Sequence, residues 1–358
     1  MRVPVEAYQA LIRGERGGPL AALARAGLRA ASWPYGLAVW GRNRLFDRGW
    51  KTVHRAAVPV VGVGNLTLGG TGKTPCVEYV ARFYRELGVR VAIISRGYGA
   101  QAGRNDEAMV LEENLPDVPH LQDPDRAAAA ERAVEELDSE LLVLDDGFQH
   151  RRLHRDLDIV LIDATRPPQR DYLFPRGTLR EPAGGLKRAG AIVLTRCDQV
   201  SAEAVAATRD WLGRRFPGKP VATTEHRPLT ADEFRGKVVG AFCGIGNPAA
   251  FRRTLEDLGA TVAAFRTFPD HHPYTRADVD DLRAWAGQLP ADAVVATTQK
   301  DWVKLRVPDL AGRPLRAVAI GLAFRDGQEA FDEALRRVLT IKTNHRGTET
   351  QSREEEKE

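Results

Sequence analysis

Five short apolar runs constrain this chain most: VPVVGVG (58–64), VRVAIIS (89–95), LLVLDD (141–146), DIVLIDA (158–164) and AIVLTR (191–196). Each suits one strand, and their β-branched residues run without polar alternation, as in strands buried on both faces. Between them lie helix-like segments such as Pro75–Leu87 and Arg126–Leu137. This rhythm predicts an α/β fold with a doubly wound parallel sheet and helices on both faces. A second series, PVATTE, KVVGAFCG, ATVAAF, DAVVATT and RAVAIGL, follows from about residue 220 and predicts a second, smaller α/β domain, joined near residues 200–215. The expected divisions are an N-terminal helical segment (1–47), a first domain (48–208), a second domain (209–341) whose last strand or helix packs back on the first, and a tail (342–358). That tail is polar, lacks apolar periodicity and reads as disordered.

Composition narrows the classes. A 43% hydrophobic, 28% charged chain of 358 residues is core-forming and long enough for about two domains. The net charge of +4 is too small to argue for nucleic acid, but is compatible with an anionic substrate or lipid surface. Cys76, Cys197 and Cys243 are too scattered for a disulfide framework or a metal knuckle, and point to a reducing compartment. No run of 18 uncharged apolar residues exists, and Arg13, Glu15 and Arg16 interrupt any signal-peptide core. A cytoplasmic protein, or one lying against a membrane from the cytoplasmic side, is expected.

Leu20, Leu23, Ala24, Leu28 and Ala31 form one helical stripe, with Arg25 and Arg29 opposite. Trp33-Pro34-Tyr35 is expected to break this helix before a second one over 36–47. Such a basic hairpin with aromatic residues at its bend suits either a membrane interface or packing on its own domain.

The chemistry is concentrated in VVGVGNLTLGGTGKTP (60–75). A buried strand ends at Gly64, a glycine turn follows, and Gly72-Lys73-Thr74 opens a helix with Pro75 in its first turn. Gly69, Gly70, Thr71, Gly72, Lys73 and Thr74 form a candidate phosphate loop: amides and a helix N-terminus cradle a triphosphate, Lys73 reaches the β/γ-phosphates, and the Thr74 hydroxyl ligates Mg²⁺. The strict loop pattern has glycine where this chain has Thr67. LLVLDDGFQH places Asp145 and Asp146 at the C-terminal end of a second strand, where open α/β sheets bind ligands and a carboxylate can hold Mg²⁺.

Together these motifs resemble the tetraacyldisaccharide 4′-kinase (lipid A 4′-kinase) family. VGNLTLGGTGKTP, SRGYGA, Asp106-Glu107, DDGFQHRRLHRDLDIVLIDA, GTLREP with LKRA, FCGIGNP, FPDHHPY and TTQKDWVKL occur in the family's order from about Val61 to Leu305, and the family's loop carries the same departure at Thr67. The resemblance implies a P-loop NTPase-like fold and transfer of the ATP γ-phosphoryl group to the 4′-hydroxyl of an acylated disaccharide 1-phosphate. ATP and Mg²⁺ are implied, as is a peripheral position on the cytoplasmic face of the inner membrane; neither nucleic acid nor an obligatory protein partner is.

It further implies Asp106 as the base and His271 as its partner, with the second domain closing over the first to join them. Lys73 and Arg126 neutralise phosphoryl charge, although Arg126 also reads as a first-turn helix arginine. Asp145, Asp146, Gln149 and His150 line the metal edge, with Asp146 nearer the reaction, while Arg126, Gln149, Arg180 and Glu181 are substrate-side candidates. Thr297, Thr298, Lys300 and Asp301 end a strand and are candidates for approaching the nucleotide base. The chain departs from the family in three places: the hairpin between Tyr98 and Asp106 is reduced to little more than AQAGRN, Asn105 stands where glycine is usual, and Gln299 replaces Glu. A P-loop GTPase or metallochaperone-type ATPase, with Thr195-Arg196-Cys197-Asp198 as a base-reading loop, is the nearest alternative; a membrane-positioning ATPase is the other.

Overall fold

A computed structural model describes residues 5–97 and 106–340. The predicted disordered tail and the shortened hairpin up to Asn105 lie outside them. In chain order the elements are α1 (Val5–Arg13), α2 (Pro19–Asp47), β1 (Val60–Asn65), α3 (Lys73–Glu86), β2 (Val91–Ser95), α4 (Asp106–Asn114), β3 (His120–Gln122), α5 (Arg126–Glu135), β4 (Leu141–Asp145), β5 (Leu157–Asp163), β6 (Ala191–Thr195) and α6 (Ala202–Arg215). They continue as β7 (Val221–Pro228), β8 (Val238–Cys243), α7 (Pro248–Asp257), β9 (Thr261–Thr267), α8 (Arg276–Gly287), β10 (Val294–Thr298), α9 (Gln299–Leu305), β11 (Asp309–Leu310), β12 (Arg313–Val318), β13 (Ile320–Asp326) and α10 (328–340).

The chain forms two compact units: Met1–Arg96, Asp123–Glu225 and Phe324–Glu358 make the first, and Gly97–Gln122 with His226–Ala323 the second. Across the first unit the strands run β13-β7-β6-β5-β1-β4-β2, the pairs from β7 to β2 being parallel. Strands β1, β2, β4, β5 and β6 are buried along their whole length, because helices cover both faces of the sheet. This is the doubly wound sheet of a P-loop NTPase. β1 sits between β4 and β5; the chain crosses from β1 towards β2 on one side and from β4 to β5 on the other, and Val63 pairs with Asp145 on β4. That register puts the loop after β1 beside the turn after β4.

The second unit carries a five-stranded sheet, β11-β12-β10-β8-β9, parallel except for β11 against β12. Its core gathers Phe242, Leu282, Trp285 and Leu315 on one face and Phe234, Phe251 and Leu255 on the other.

Several expectations need correction. PVATTE becomes β7, which pairs with β6 in the first sheet, and the expected junction at 200–215 is α6. RAVAIGL spans two strands, β12 and β13, the second of which returns the chain to the first unit. There α10 buries Phe331, Leu335 and Val338, worth about 1.5–3 kcal/mol each, and the Tyr84 hydroxyl donates to the Leu335 carbonyl at 2.8 Å. The expected 48–208 domain also loses α4, which buries Ala108, Val110 and Leu111 in the second unit. Its partners lie almost 200 residues away on α9, so no local pattern reveals the exchange.

The expected N-terminal hairpin is instead one helix of 29 residues with Pro34 inside it. Pro34 removes one backbone hydrogen bond, but the protein grips the turn around it. The Ser32 hydroxyl donates to the Leu28 and Leu173 carbonyls at 3.0 and 2.9 Å, and accepts from the Arg176 amide at 3.1 Å. Arg25 is half-buried and donates to the Arg16 carbonyl at 2.8 Å, while Arg29 lies over the Tyr172 ring. Leu20, Leu23, Trp33, Leu37 and Trp40 are exposed, Leu20 by 82% and Trp33 by 76%. No helix among the described residues is long and apolar enough to cross a membrane.

Candidate active site

The phosphate loop of the first unit is built from backbone geometry. Gly64, one residue before the end of β1, lies so close to the turn after β4 that a Cβ there would be 2.7 Å from the Phe148 amide nitrogen. Gly72 caps α3 with left-handed backbone (φ 81°), where a side chain is disfavoured, and Lys73 and Thr74 follow as the first helical residues. The loop is laced down from behind. Asn65 Nδ2 donates to the Thr71 hydroxyl at 2.9 Å, the Thr195 hydroxyl donates to the Thr71 carbonyl at 2.9 Å, and Arg196 donates to the Gly70 carbonyl at 2.8 Å. The segment that the alternative reads as a base selector therefore holds the phosphate loop through Thr195 and Arg196. Thr67 closes an antiparallel bridge with Leu179, which brings the GTLREP segment alongside the loop.

Asp146 is the hub of this unit's cluster. Lys73 Nζ lies 3.5 Å from its carboxylate, Arg180 forks both oxygens at 3.0 and 2.9 Å, and Arg126 donates to its backbone carbonyl at 3.1 Å. Burial pushes the Asp146 carboxyl up, but Lys73, Arg180 and Arg126 outweigh it and hold the group below the usual carboxylate range. Arg126 satisfies both readings of it: it is the first residue of α5, behind an Asp125 cap, and its buried side chain reaches the Asp146 turn. His150 sits among Arg126, Arg155, Arg152 and Arg42; burial first and then those cations lower it to about 4, so its imidazole is neutral at pH 7.

A second tier stands behind the hub. Gln149 Nε2 donates to the Asn65 carbonyl at 2.9 Å and to Glu181 at 3.0 Å, and Glu181 also receives Arg188 at 2.9 Å and Asn43 at 3.2 Å. Glu181, expected at the disaccharide, is only 2% exposed: its oxygens organise Gln149, Arg188 and Asn43 instead of facing solvent. Asn43 and Tyr35, whose hydroxyl donates to the Arg180 carbonyl at 2.8 Å, tie α2 to this tier. Neither was predicted, because within α2 they carry no signal beyond helix-compatible polarity.

Mg²⁺ fits the donors at this edge. The Thr74 hydroxyl at the start of α3 and the Asp145 and Asp146 carboxylates after β4 are hard oxygen ligands, and adjacent strands bring them together. Gly69 and Gly70 face open space, so a phosphate chain meets backbone there without a Cβ in the way.

In the second unit Asp106 is the first residue of α4, and His271 lies in the loop between β9 and α8. His271 Nδ1 and Lys304 Nζ each lie 2.9 Å from Asp106 Oδ2. Burial raises the Asp106 carboxyl, but hydrogen bonds and charge from Lys304 and His271 bring it below its ordinary value. His271 is held in left-handed backbone (φ 59°), a conformation that costs about 1–2 kcal/mol, with its amide donating to the Gly244 carbonyl at 3.1 Å. Because α4 and the His271 loop belong to one unit, the expected closure of the second domain over the first is not what pairs Asp106 with His271.

In TTQKDWVKL, whose Thr297, Thr298, Lys300 and Asp301 were candidates for approaching the nucleotide base, Gln299 and Lys300 bond α4. Gln299 donates to Asn114 at 2.6 Å and Lys300 to Glu107 at 3.0 Å, while Thr297 bonds the Phe242 carbonyl at 3.0 Å and Thr298 the buried Asp301 at 2.6 Å. Lys304 is the residue missed here; its sequence signal was only a place three residues after Asp301.

The model of the tetraacyldisaccharide-1-P 4′-kinase family matches residues 24–340. Tetraacyldisaccharide 4′-kinase of Anaeromyxobacter dehalogenans strain 2CP-C is 41% identical over 351 residues, covering 90% of this chain and 92% of its own. That of Chlorobaculum parvum is 35% identical over 351 residues, covering 88% and 95%. The crystal structure of LpxK from Aquifex aeolicus in complex with ATP superposes with a TM-score of 0.71 at 29% identity, covering 88% of this chain and 99% of that one. A match of this extent, on a chain with this phosphate loop, means that the protein belongs to the tetraacyldisaccharide-1-P 4′-kinase family, the ATP-dependent kinases of lipid A biosynthesis.

Proposed function

We propose that this chain moves the γ-phosphoryl group of ATP onto the 4′-hydroxyl of an acylated disaccharide 1-phosphate, working from the cytoplasmic surface of the inner membrane. The observation that supports this most directly is the convergence of Lys73, Arg126 and Arg180 on Asp146 beside the glycine loop. Phosphoryl transfer asks for positioning and charge neutralisation, and this cluster supplies both. Loop amides from Gly69 to Gly72 and the Lys73 ammonium take the β/γ-phosphates. Thr74 and Asp146, with Asp145 beside it, hold Mg²⁺, which neutralises phosphate charge when bound. Arg126 adds positive charge behind the transferring group, and Arg180 and Gln149 face the sugar, oriented by Glu181.

Asp106 accepts the hydroxyl proton as the sugar oxygen bonds to phosphorus; the bond to the departing oxygen breaks and ADP leaves with its electron pair. His271, on Asp106 Oδ2, orients the carboxylate. The outward apolar face of α2 lies in the interface, with Trp33 and Trp40 at headgroup depth, which brings a lipid acceptor to Asn43 and Tyr35 and hence to the Glu181 tier.

Purified protein with Mg-ATP and tetraacyldisaccharide 1-phosphate in mixed micelles yields a bisphosphate lipid, resolved by thin-layer chromatography and mass spectrometry. ATP turnover that neither needs the acceptor nor phosphorylates it rejects the reading. Preference for GTP over ATP in binding competition would instead favour the switch-type alternative.

A further inference from the structure

Lys304 sits where three chain segments of the second unit meet, and nothing in the phosphoryl-transfer account uses it. Its ammonium lies 2.9 Å from Asp106 Oδ2 on α4, donates to the His272 carbonyl at 3.3 Å in the β9–α8 loop, and stands 3.7 Å from Asp301 Oδ1 on its own helix. The side chain is largely enclosed, 12% exposed, with the Tyr274 ring 5.8 Å from the charge. Asp301 explains why the cation stays there. Fully buried, it uses Oδ2 for the Gly244 amide (3.0 Å) and the Thr298 hydroxyl (2.6 Å), while its Oδ1 has no hydrogen bond and faces Lys304. A buried carboxylate so placed demands a neighbouring cation. Gly244, held by Asp301, in turn accepts the His271 amide, so one buried acid fixes both partners of Asp106.

We infer that Lys304, seated on Asp301, is a positioning residue that occupies Asp106 Oδ2 together with His271 and leaves Oδ1 as the atom that receives the acceptor's proton. This rests on the function proposed above. In the reaction the hydroxyl proton goes to Asp106 Oδ1, the sugar oxygen takes phosphorus, and ADP departs with the electrons of the broken bond. Lys304 itself neither gains nor loses a proton. Among the described residues, the other charged groups around Asp106 are Glu107 on α4, Lys300 and Asp301 on α9, and His271 with Asp270 on the β9–α8 loop. Glu107 is paired with Lys300, and Asp270 lies 3.9 Å from His271 Nε2. Among the described residues, Lys304 is the lysine or arginine that the structure places on Asp106, at the same 2.9 Å as His271.

The test is Lys304→Met alongside Lys304→Arg, assayed with Mg-ATP and the acylated disaccharide. Lys304→Met lowers kcat on the order of 10–100-fold while the KM for ATP stays within about twofold, since the phosphate loop is untouched. Its acidic limb in the kcat–pH profile moves to higher pH. With the cation gone, burial raises the Asp106 carboxyl, and the ionised base is lost at a higher pH as pH falls. Lys304→Arg restores most of kcat and returns the limb toward its original position. If Lys304→Met fails to fold because Asp301 is left without a cation, the Asp301→Asn/Lys304→Met double variant removes that charge and is read in the same way. An unmoved acidic limb, a kcat within twofold of wild type, or equal loss of ATP binding and turnover overturns the inference. Wild-type protein that fails to phosphorylate the lipid overturns the function instead, so the two failures are distinguishable.

Discussion

The two acids that matter in this molecule are held by opposite strategies. Asp146 directly follows a buried strand whose register with β1 delivers it to the phosphate loop, and its cations come from the starts of α3 and α5 and from the connection between β5 and β6. Asp106 opens a short helix that owes its place to α9, and its cation and imidazole arrive from residues more than 160 positions later. Both carboxyls are held below the ordinary range against burial, by Lys73, Arg180 and Arg126 in one case and by Lys304 and His271 in the other. Strand register sets the place of Asp146. The place of Asp106, the proposed base, depends instead on clamps from remote side chains.

Substitutions separate the two. Asp106→Asn removes the proton acceptor and lowers kcat by about 10²–10⁴-fold, with nucleotide affinity retained by equilibrium binding; equal loss of both would deny it the role of base. Lys73→Ala costs on the order of 10²–10³-fold in kcat/KM, and unlike Asp106→Asn it weakens ATP binding as well, because the lysine contacts phosphate in both ground and transition states. A Lys73→Ala enzyme with unaltered ATP affinity would erase the contrast.

A weaker effect tests whether α2 serves a lipid surface. Trp33→Ser with Trp40→Ser lowers partitioning onto anionic vesicles by roughly tenfold or more in sedimentation, with little change in melting temperature, since both rings already face outward. A large drop in stability would show that these rings pack in solution. Smallest is Asn43→Ala, which leaves Glu181 without one donor and lowers unfolding free energy by about 1–2 kcal/mol in urea titration. Should it slow turnover more than it destabilises, α2 would join the site as a contact and not only as a brace.

Strands β1, β2, β4, β5 and β6 could be read within a residue or two because doubly buried strands have no competing explanation for a run such as LLVLDD. The phosphate loop could be read for a related reason: its function is carried by backbone, and glycine, lysine and threonine beside a strand end leave few alternatives. PVATTE looked like the opening of a new domain since an apolar run does not reveal which sheet it joins. Pro34 was read as a break because the compensating Ser32 contacts come from residues 173 and 176, outside any local window.

The alternation of strands and helices and the residue types of the phosphate loop were therefore determined by sequence alone, since each follows from short-range burial and backbone geometry. The assignment of α4 to the second unit, the enclosure of Glu181 and the seating of Lys304 on Asp301 were decided only by tertiary structure. The physical reason is that each placement depends on a contact between segments far apart in the chain, Lys300 with Glu107, Asn43 with Glu181 and Lys304 with Asp106, which no local pattern encodes.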